Sequence, residues 1–230
     1  YGGFGHQYVH ADQHAIEFRP GSSSMAIFGN DGGVGYSNTL TASNTSNKFI
    51  SERNKDYNVT QFYSCAIHPN FGSNYMLGGT QDNGSHQFLT PGVNSTLEVT
   101  GGDGGFCYID QTNPDYQLTS YTRNNHFFSA DGGASFGTLN TSESTGSFIN
   151  PGDYHNNLDI LYTAKSSVSI RRTFIDGTLV PNADNMSVSL FSQASHIRVS
   201  PYSKSSSTLF VGTNGGRVFK ITGAEGLSFS

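Results

Sequence analysis

The segment 10–38 alternates apolar and polar residues in short runs that are separated by turn residues. Ile16 and Phe18 alternate with polar neighbours, and a second apolar run covers residues 25–28. An Asn-Asp-Gly-Gly stretch at 30–33 interrupts this run before the pattern restarts. Alternation with a period of two, bounded by Pro, Gly and Asn, is typical of half-buried antiparallel strands. The segment therefore predicts three antiparallel strands joined by two turns.

The same pattern recurs along the chain. The predicted first strands of the repeats are 15–20, 64–69, 106–114, 147–151 and 196–201. Their aligned apolar positions are Phe18, Ile67, Ile109, Ile149 and Val199. A period of about 40–50 residues with three or four short strands is typical of a β-propeller blade. We therefore predict an all-β propeller, or a fragment of one, whose roughly five blades cover residues 8–58, 59–98, 99–140, 141–190 and 191–225.

Composition agrees with this fold and argues against several functions. The 230 residues include 28 Gly and only 13% charged residues, a balance that disfavours helices. The net charge is −5 and no basic stripe exists, so nucleic-acid binding is not expected. No apolar run approaches the roughly 18 residues of a membrane-spanning helix. The abrupt start at Tyr1 favours a piece of a longer protein, whose remaining blades would be partners of this chain.

The two cysteines leave two interpretations open. Cys65 and Cys107 are either a pair of buried thiols, which is the favoured prediction, or a disulfide.

Residues 129–136 have the sequence Ser-Ala-Asp-Gly-Gly-Ala-Ser-Phe. This stretch resembles the Asp-box motif Ser-x-Asp-x-Gly-x-Thr-Trp, with Ser and Phe in the last two places. Through it the chain resembles the Asp-box propeller superfamily, which includes sialidases, sortilin-type receptors and xyloglucan hydrolases. The resemblance implies a structural role for Ser129, Asp131, Gly133 and Phe136. In such a turn the carboxylate accepts backbone N–H groups, the glycine takes a positive φ and the aromatic ring packs between sheets.

Further segments resemble large secreted or surface proteins of Bacteroidota-type bacteria. The matching stretches are residues 10–16, 29–33, 61–63, 77–84 and 101–105. The resemblance implies a location outside the cell or at the bacterial surface and export by a type IX secretion system. It also implies a glycan, a surface protein or the secretion apparatus as partners.

Propeller topology predicts one face on which binding residues gather. The residues before the first strand of a blade and the turn between its second and third strands share this face, which we call the loop face. Loops at one end of a rigid scaffold are where binding residues concentrate. The predicted binding residues of the loop face are His10, Asp12, His14, Asn30, Tyr63, Gln81, Asp82, Asn83, Arg123, His196 and Asn214.

Three alternating residues of the first repeat suggest a metal site. On a continuous strand, His10, Asp12 and His14 would point to one side, and His and Asp are ligands of Zn²⁺ and Mn²⁺. The alternative is that they form hydrogen bonds to neighbouring turns and fix the spacing of the blades. The Asp-rich turns also suit a structural Ca²⁺, and no other cofactor is expected.

Two Asp-Gly-Gly stretches, at Asp31 and Asp103, leave enzymatic and structural interpretations open. The resemblance to xyloglucan hydrolases implies that the two carboxylates act as acid and base on a polysaccharide, which requires a separation of roughly 6.5–9.5 Å for inversion. Asp-Gly is equally a favoured hairpin turn, and Trp, the usual sugar platform, is absent. We therefore predict a binding or scaffolding module for glycan or protein, with a glycoside hydrolase as the alternative.

Overall fold

The computed structural model describes residues 8–41, 49–55, 60–139 and 144–230. The chain divides into two compact units, Tyr1–Gln61 and Phe62–Ser230, and each is described by itself. Strands and turns, but no helices, occur in the described ranges, so the all-β prediction is confirmed. Accordingly, these ranges contain no helix with the length and hydropathy needed to cross a membrane.

The first unit contains one antiparallel sheet, called the first sheet. Its strands, in sheet order, are β1 (Gln13–Phe18), β2 (Ala26–Asn30), β3 (Gly33–Ser37) and β4 (Ser51–Glu52). Ile16 pairs with Phe28, and Phe18 pairs with Ala26. Phe28 and Ala26 are buried, whereas Ile16 and Phe18 are 52% and 48% exposed. The predicted alternation is therefore present in the register, but β1 itself contributes little buried surface.

The second unit contains four further antiparallel sheets, in each of which the strands follow chain order. The second sheet consists of β5 (Phe62–Ile67), β6 (Met76–Thr80), β7 (Gly84–Phe88) and β8 (Leu97–Thr100). The third consists of β9 (Tyr108–Ile109), β10 (Gln117–Ser120), β11 (His126–Ser129) and β12 (Gly137–Thr138). The fourth consists of β13 (Gly152–His155), β14 (Ile160–Ser166), β15 (Ser169–Phe174) and β16 (Asn182–Ser187). The fifth consists of β17 (Ala194–Val199), β18 (Thr208–Thr213) and β19 (Val218–Thr222).

Apolar side chains between successive sheets of the second unit form three core clusters. The largest joins the fourth and fifth sheets and includes Tyr162, Ile170 and Leu209. A second cluster, around Leu118 and Phe128, joins the third and fourth sheets, and a third contains Leu77, Cys107 and Ile109. Each sheet thus buries its alternating apolar residues against its neighbour, as half-buried strands require.

Buried polar groups also connect these sheets. Asn150 Nδ2 donates to Asn124 Oδ1 at 2.8 Å and to the Ala164 carbonyl at 2.8 Å, which ties the third sheet to the fourth. Arg172, 3% exposed, donates from Nε and Nη2 to the two carboxylate oxygens of Asp184 at 2.6 Å each. Its Nη1 donates to the carbonyl of Ala224 at 2.9 Å, beyond β19. Since buried polar groups are costly unless they are paired, these contacts make the packing specific.

The predicted first strand of the fourth repeat, at 147–151, is wrong. Strand β13 begins at Gly152, because the preceding residues form a turn in which Asn150 Oδ1 accepts the backbone N–H of Ser147 at 3.0 Å. The side chain of Asn150 is then fixed by the third sheet, so Ile149 is not equivalent to the other aligned positions. The apolar residues of this segment, taken alone, therefore predict the strand at the wrong position.

The prediction of two buried thiols is wrong for one of the two cysteines. Both thiols are free, and Cys107 is buried, but Cys65 is exposed.

Candidate functional site

The turn between β11 and β12 is organised by the carboxylate of Asp131. Its Oδ1 accepts the Ser129 hydroxyl at 2.6 Å and the Ser135 backbone N–H at 3.0 Å, and its Oδ2 accepts the Ser135 hydroxyl at 2.6 Å. These bonds, that of Ser129 above all, lower the pKa of Asp131 to about 2. The carboxylate is thus used within its own turn, which is a structural arrangement.

The same turn is fixed against the second sheet. Gly133 has φ of +86° and is buried, and its carbonyl accepts Gln87 Nε2 at 2.6 Å. Phe136 packs on the cluster of Leu77, Cys107 and Ile109. Gly133 therefore lies where a larger side chain would not fit, and Phe136 lies where a polar side chain would be unfavourable.

Three of the predicted site residues in the second unit come together. Asp103 Oδ1 accepts the backbone N–H of Asp82 at 3.2 Å. Tyr63 lies near both carboxylates, and burial followed by the charges of Asp103 and Asp82 raises the pKa of its phenol. We call Tyr63, Asp82 and Asp103 the acidic cluster. The second sheet supplies Tyr63 and Asp82, and the segment before β9 supplies Asp103.

Two local features of the backbone place the acidic cluster. The pairing of β5 with β6 shifts register between Phe62 and Ser64, so Tyr63 sits at a β-bulge that redirects its side chain. Asp82 has φ of +59°, a left-handed conformation that is uncommon for a residue other than glycine. Such bulges and strained residues recur beside binding sites.

Close backbone contacts hold the two loops that carry the carboxylates. The N–H of Gly104 donates to the Thr80 carbonyl at 2.8 Å, and that of Gly84 donates to the Gly102 carbonyl at 2.7 Å. A Cβ on Gly104 would overlap the Gly84 carbonyl oxygen, so this approach requires glycine. The Asp-Gly-Gly sequence at 103–105 is thereby explained by packing of the loops.

The other predicted residues of the second unit lie in neighbouring turns. Asn83 Nδ2 donates to the Gln81 carbonyl at 3.0 Å, directly beside the acidic cluster in sequence. Arg123, with φ of +62°, is exposed in the turn between β10 and β11. Asn214 is in the exposed turn between β18 and β19, and His196 is on β17, where it lines the cavity described below.

In the first unit, His10 lies beside Asp12, whereas His14 lies beside Asp31. The distance from His10 Nδ1 to Asp12 Oδ2 is 3.8 Å, and His14 Nε2 contacts Asp31 Oδ1. The premise that both histidines and Asp12 lie on one strand is wrong, because β1 begins at Gln13 and its pairing shifts register on either side of His14. Carboxylate oxygens of Asp12 and Asp31 lie within 4.8 Å of each other, so these acids do converge. The metal site stays a prediction.

The proposed acid and base, Asp31 and Asp103, belong to different units. Each already has a contact within its unit: Asp31 with His14, and Asp103 with the Asp82 backbone. Asn30 pairs with Gln13 and Gly33 at the end of β2, next to Asp31. The catalytic role of the two carboxylates stays a prediction.

The second unit also contains a cavity of about 350 Å³ that the sequence did not predict. It is lined by the first strands of its four sheets and by the residues next to them, among them Cys65, Phe106, Tyr108, Asp153, His196 and Arg198. One feature of the sequence does point to this cavity. His196 and Arg198 lie two residues apart on β17, so they share a face of the strand, and both are exposed. Asp153, on β13, has no such signal, because only the fold brings it to β17.

Asp153 is the buried carboxylate of this cavity. It is 8% exposed, its Oδ2 accepts the Val199 N–H at 2.8 Å, and Arg198 Nε lies 3.6 Å from the same oxygen. Burial raises the pKa of Asp153, and this effect exceeds the opposing bonds to Val199 and the charge of Arg198. Tyr108 Oη is buried and has no hydrogen-bond partner in the described residues.

Comparison with known proteins bears on the fold. No protein-family model matches the chain, and no curated protein matches it either. The crystal structure of Saccharomyces cerevisiae Sqt1, a propeller protein, is similar to 71% of this chain with a TM-score of 0.53 and 13% identity. The fold is a β-propeller.

A second solved structure was also found. The crystal structure of an ancestral GH74 enzyme covers 92% of this chain with a TM-score of 0.44 and 13% identity. The chain spans 44% of the length of the Sqt1 structure and 36% of the GH74 structure, so it corresponds to less than half of either protein.

Proposed function

We propose that the chain is a recognition module in which the propeller presents its loop face to a glycan. The acidic cluster of Tyr63, Asp82 and Asp103 carries this proposal. Two partly buried carboxylates and a phenol accept hydrogen bonds from sugar hydroxyl groups, and the tyrosine ring offers a flat apolar surface. A binding site needs such groups in fixed positions, and the close glycine contacts below the cluster supply that rigidity.

The same acceptors suit Lys or Arg side chains, so a protein partner is the other outcome of the test. We also propose that each sheet is one blade of the propeller and that the turn at Asp131 is an Asp-box. Location outside the cell, type IX export and a structural Ca²⁺ stay predictions.

The hydrolase alternative receives less support from the contacts. A general acid or base must be available to the substrate, whereas Asp103 accepts a backbone N–H and Asp31 contacts His14. Hydrolysis of a polysaccharide that is lost in an Asp103→Asn variant would favour it over the binding proposal.

The binding proposal is tested by probing an array of bacterial and plant polysaccharides with the chain and with Asp82→Asn and Asp103→Asn variants. We expect a bound glycan whose signal falls about tenfold or more in either variant, because a hydrogen bond to a charged group is worth about 1.5–3 kcal/mol. Asp115→Asn, an exposed substitution in the turn between β9 and β10, is the matched control. Absence of any glycan signal, together with capture of a basic protein that the same variants lose, would replace the glycan by a protein partner.

A further inference from the structure

The cavity of the second unit has the size of a small-molecule site. Its volume of about 350 Å³ lies at the lower end of the roughly 300–1,000 Å³ range of ligand pockets. Its walls are mainly strands of four different sheets, namely β5, β9, β13 and β17, together with the residues that adjoin them. Sites built on strands of a scaffold hold their side chains in fixed positions, which favours specific recognition.

The charges of the lining residues cancel. Asp153 and Arg198 are the charged side chains among the described residues that line the cavity, and they lie 3.6 Å apart. Backbone N–H groups of Tyr154 and Val199 hold the carboxylate at 3.0 and 2.8 Å. Arg198 is 69% exposed, so its guanidinium remains accessible to a ligand. A cavity with one anion and one cation already paired favours a neutral ligand over a charged one.

Two aromatic residues also line the cavity. Phe106 and Tyr108 have nearly parallel rings, with 12° between their planes and 6.5 Å between their centroids. The hydroxyl of Tyr108 is buried without a partner in the part of the chain that the structure describes, and it lies next to Gly152, where a Cβ would be 3.4 Å away. An unsatisfied buried hydroxyl is costly, at about 1–3 kcal/mol, and because this oxygen is sealed from solvent, the ring of Tyr108 rather than its hydroxyl is what a ligand would contact.

We propose that this cavity binds a neutral, hydroxyl-rich ring compound of the size of one or two sugar units. Phe106 and the ring of Tyr108 contact the apolar face of the compound, and Arg198 and Asp153 exchange hydrogen bonds with its hydroxyl groups. Planar charged side chains together with aromatic rings match a molecule that has both an apolar face and a polar edge. This site is separate from the acidic cluster and does not depend on the function proposed for it.

Calorimetric titration of the chain with D-glucose, D-xylose and cellobiose tests the proposal, with D-glucuronate and D-glucosamine as charged analogues. We expect saturable binding of a neutral sugar and weaker binding of both analogues. Lack of saturable binding for all three neutral sugars overturns the proposal, and so does a preference for either charged analogue.

Variants locate the site. Arg198→Ala should weaken sugar binding about tenfold or more, whereas Tyr108→Phe, which keeps the aromatic ring, should change it by less than about twofold. Tyr108→Phe also tests the buried hydroxyl, since the free energy of unfolding should stay the same or rise when an unsatisfied group is removed. Arg217→Ala and Tyr202→Phe, exposed substitutions outside the cavity, are the matched controls. Binding that survives Arg198→Ala, or that is lost in Asp82→Asn instead, excludes the cavity.

Discussion

The phenol oxygen of Tyr154, on β13, lies 2.8 Å from Asp110 Oδ2, at the end of β9. The same oxygen lies 3.0 Å from Asp159 Oδ1, so one hydroxyl is shared by two carboxylates of different sheets. Tyr154 has a single proton to donate. The cluster is fully hydrogen-bonded only when one carboxyl group carries a second proton, which is a source of pH dependence.

The first prediction concerns that proton. Burial, followed by the hydrogen bond with Asp110, raises the pKa of Asp159 from 3.8 to about 6. The folded state therefore binds more protons than the unfolded state between about pH 4 and pH 6, and the free energy of unfolding falls as the pH rises through this interval. Urea unfolding across this range should show that the wild-type chain loses stability relative to Asp159→Asn, which retains a donor at every pH. Asp115→Asn is the control, and parallel pH profiles for wild type and Asp159→Asn would contradict the shared proton.

The second prediction concerns the contribution of the buried guanidinium of Arg172 to stability. Removing its guanidinium in Arg172→Ala leaves Asp184, the buried Ala224 carbonyl and the partly buried Gly226 carbonyl without this donor. Breaking a pair with a buried member typically costs about 3–5 kcal/mol, and the partial exposure of Asp184 puts the expected loss near about 3 kcal/mol. Arg198→Ala, whose side chain is largely exposed, should cost less than about 1 kcal/mol in the same denaturant titration. Equal losses for the two variants would show that burial of Arg172 is not what stabilises the chain.

Gly133 tests the close packing of the turn that contains Asp131. A Cβ at this position would overlap Gln87 Nε2 and Tyr75 Oη, and the φ of +86° is itself unfavourable for alanine. Gly216 has φ of +74° with nothing within 4 Å, so Gly216→Ala measures the backbone term alone, about 1–2 kcal/mol. Gly133→Ala should cost about 1–3 kcal/mol more than this control, as overpacking does. Thermal unfolding followed by circular dichroism checks the difference, and identical transitions would exclude the overlap.

The two cysteines should differ in reactivity. Cys65 is exposed, whereas burial raises the pKa of Cys107 to about 12 and keeps its thiolate population small. A thiol reagent such as 5,5′-dithiobis(2-nitrobenzoate) should label one cysteine in the native chain and two in guanidinium chloride. Cys65→Ser should abolish native labelling, and Cys107→Ser should leave it. Rapid labelling of both thiols without denaturant would contradict the burial of Cys107.

The strands were largely predictable because the alternation of apolar and polar residues is a local property of the sequence. Alternation around Phe18, Ile67 and Val199 lies on strands β1, β5 and β17. The strand predicted at Ile149 is wrong because the segment is apolar, but its backbone is held in a turn by the side chain of Asn150. That side chain is itself fixed by a residue of another sheet. Local pattern does not contain that information.

The candidate sites were predictable only in part, for the same reason. Tyr63, Asp82 and Asp103 were placed on one face by the repeat, but the bulge at Tyr63 and the left-handed Asp82 come from the pairing of loops. The sequence does not predict the cavity, because Asp153 and Arg198 are distant in sequence and meet only when β13 and β17 adjoin.

The decreasing size of the core clusters has a consequence for how the second unit opens. Thirteen buried residues join the fourth and fifth sheets, six form the next cluster and three the cluster beside the second sheet, counted over the described residues. Since local opening costs less where less apolar surface is buried, amide hydrogens of β5 and β6 should exchange with solvent before those of β14 and β18. Unfolding of this unit is thus graded along the chain, with the carboxy-terminal sheets as the last part to exchange.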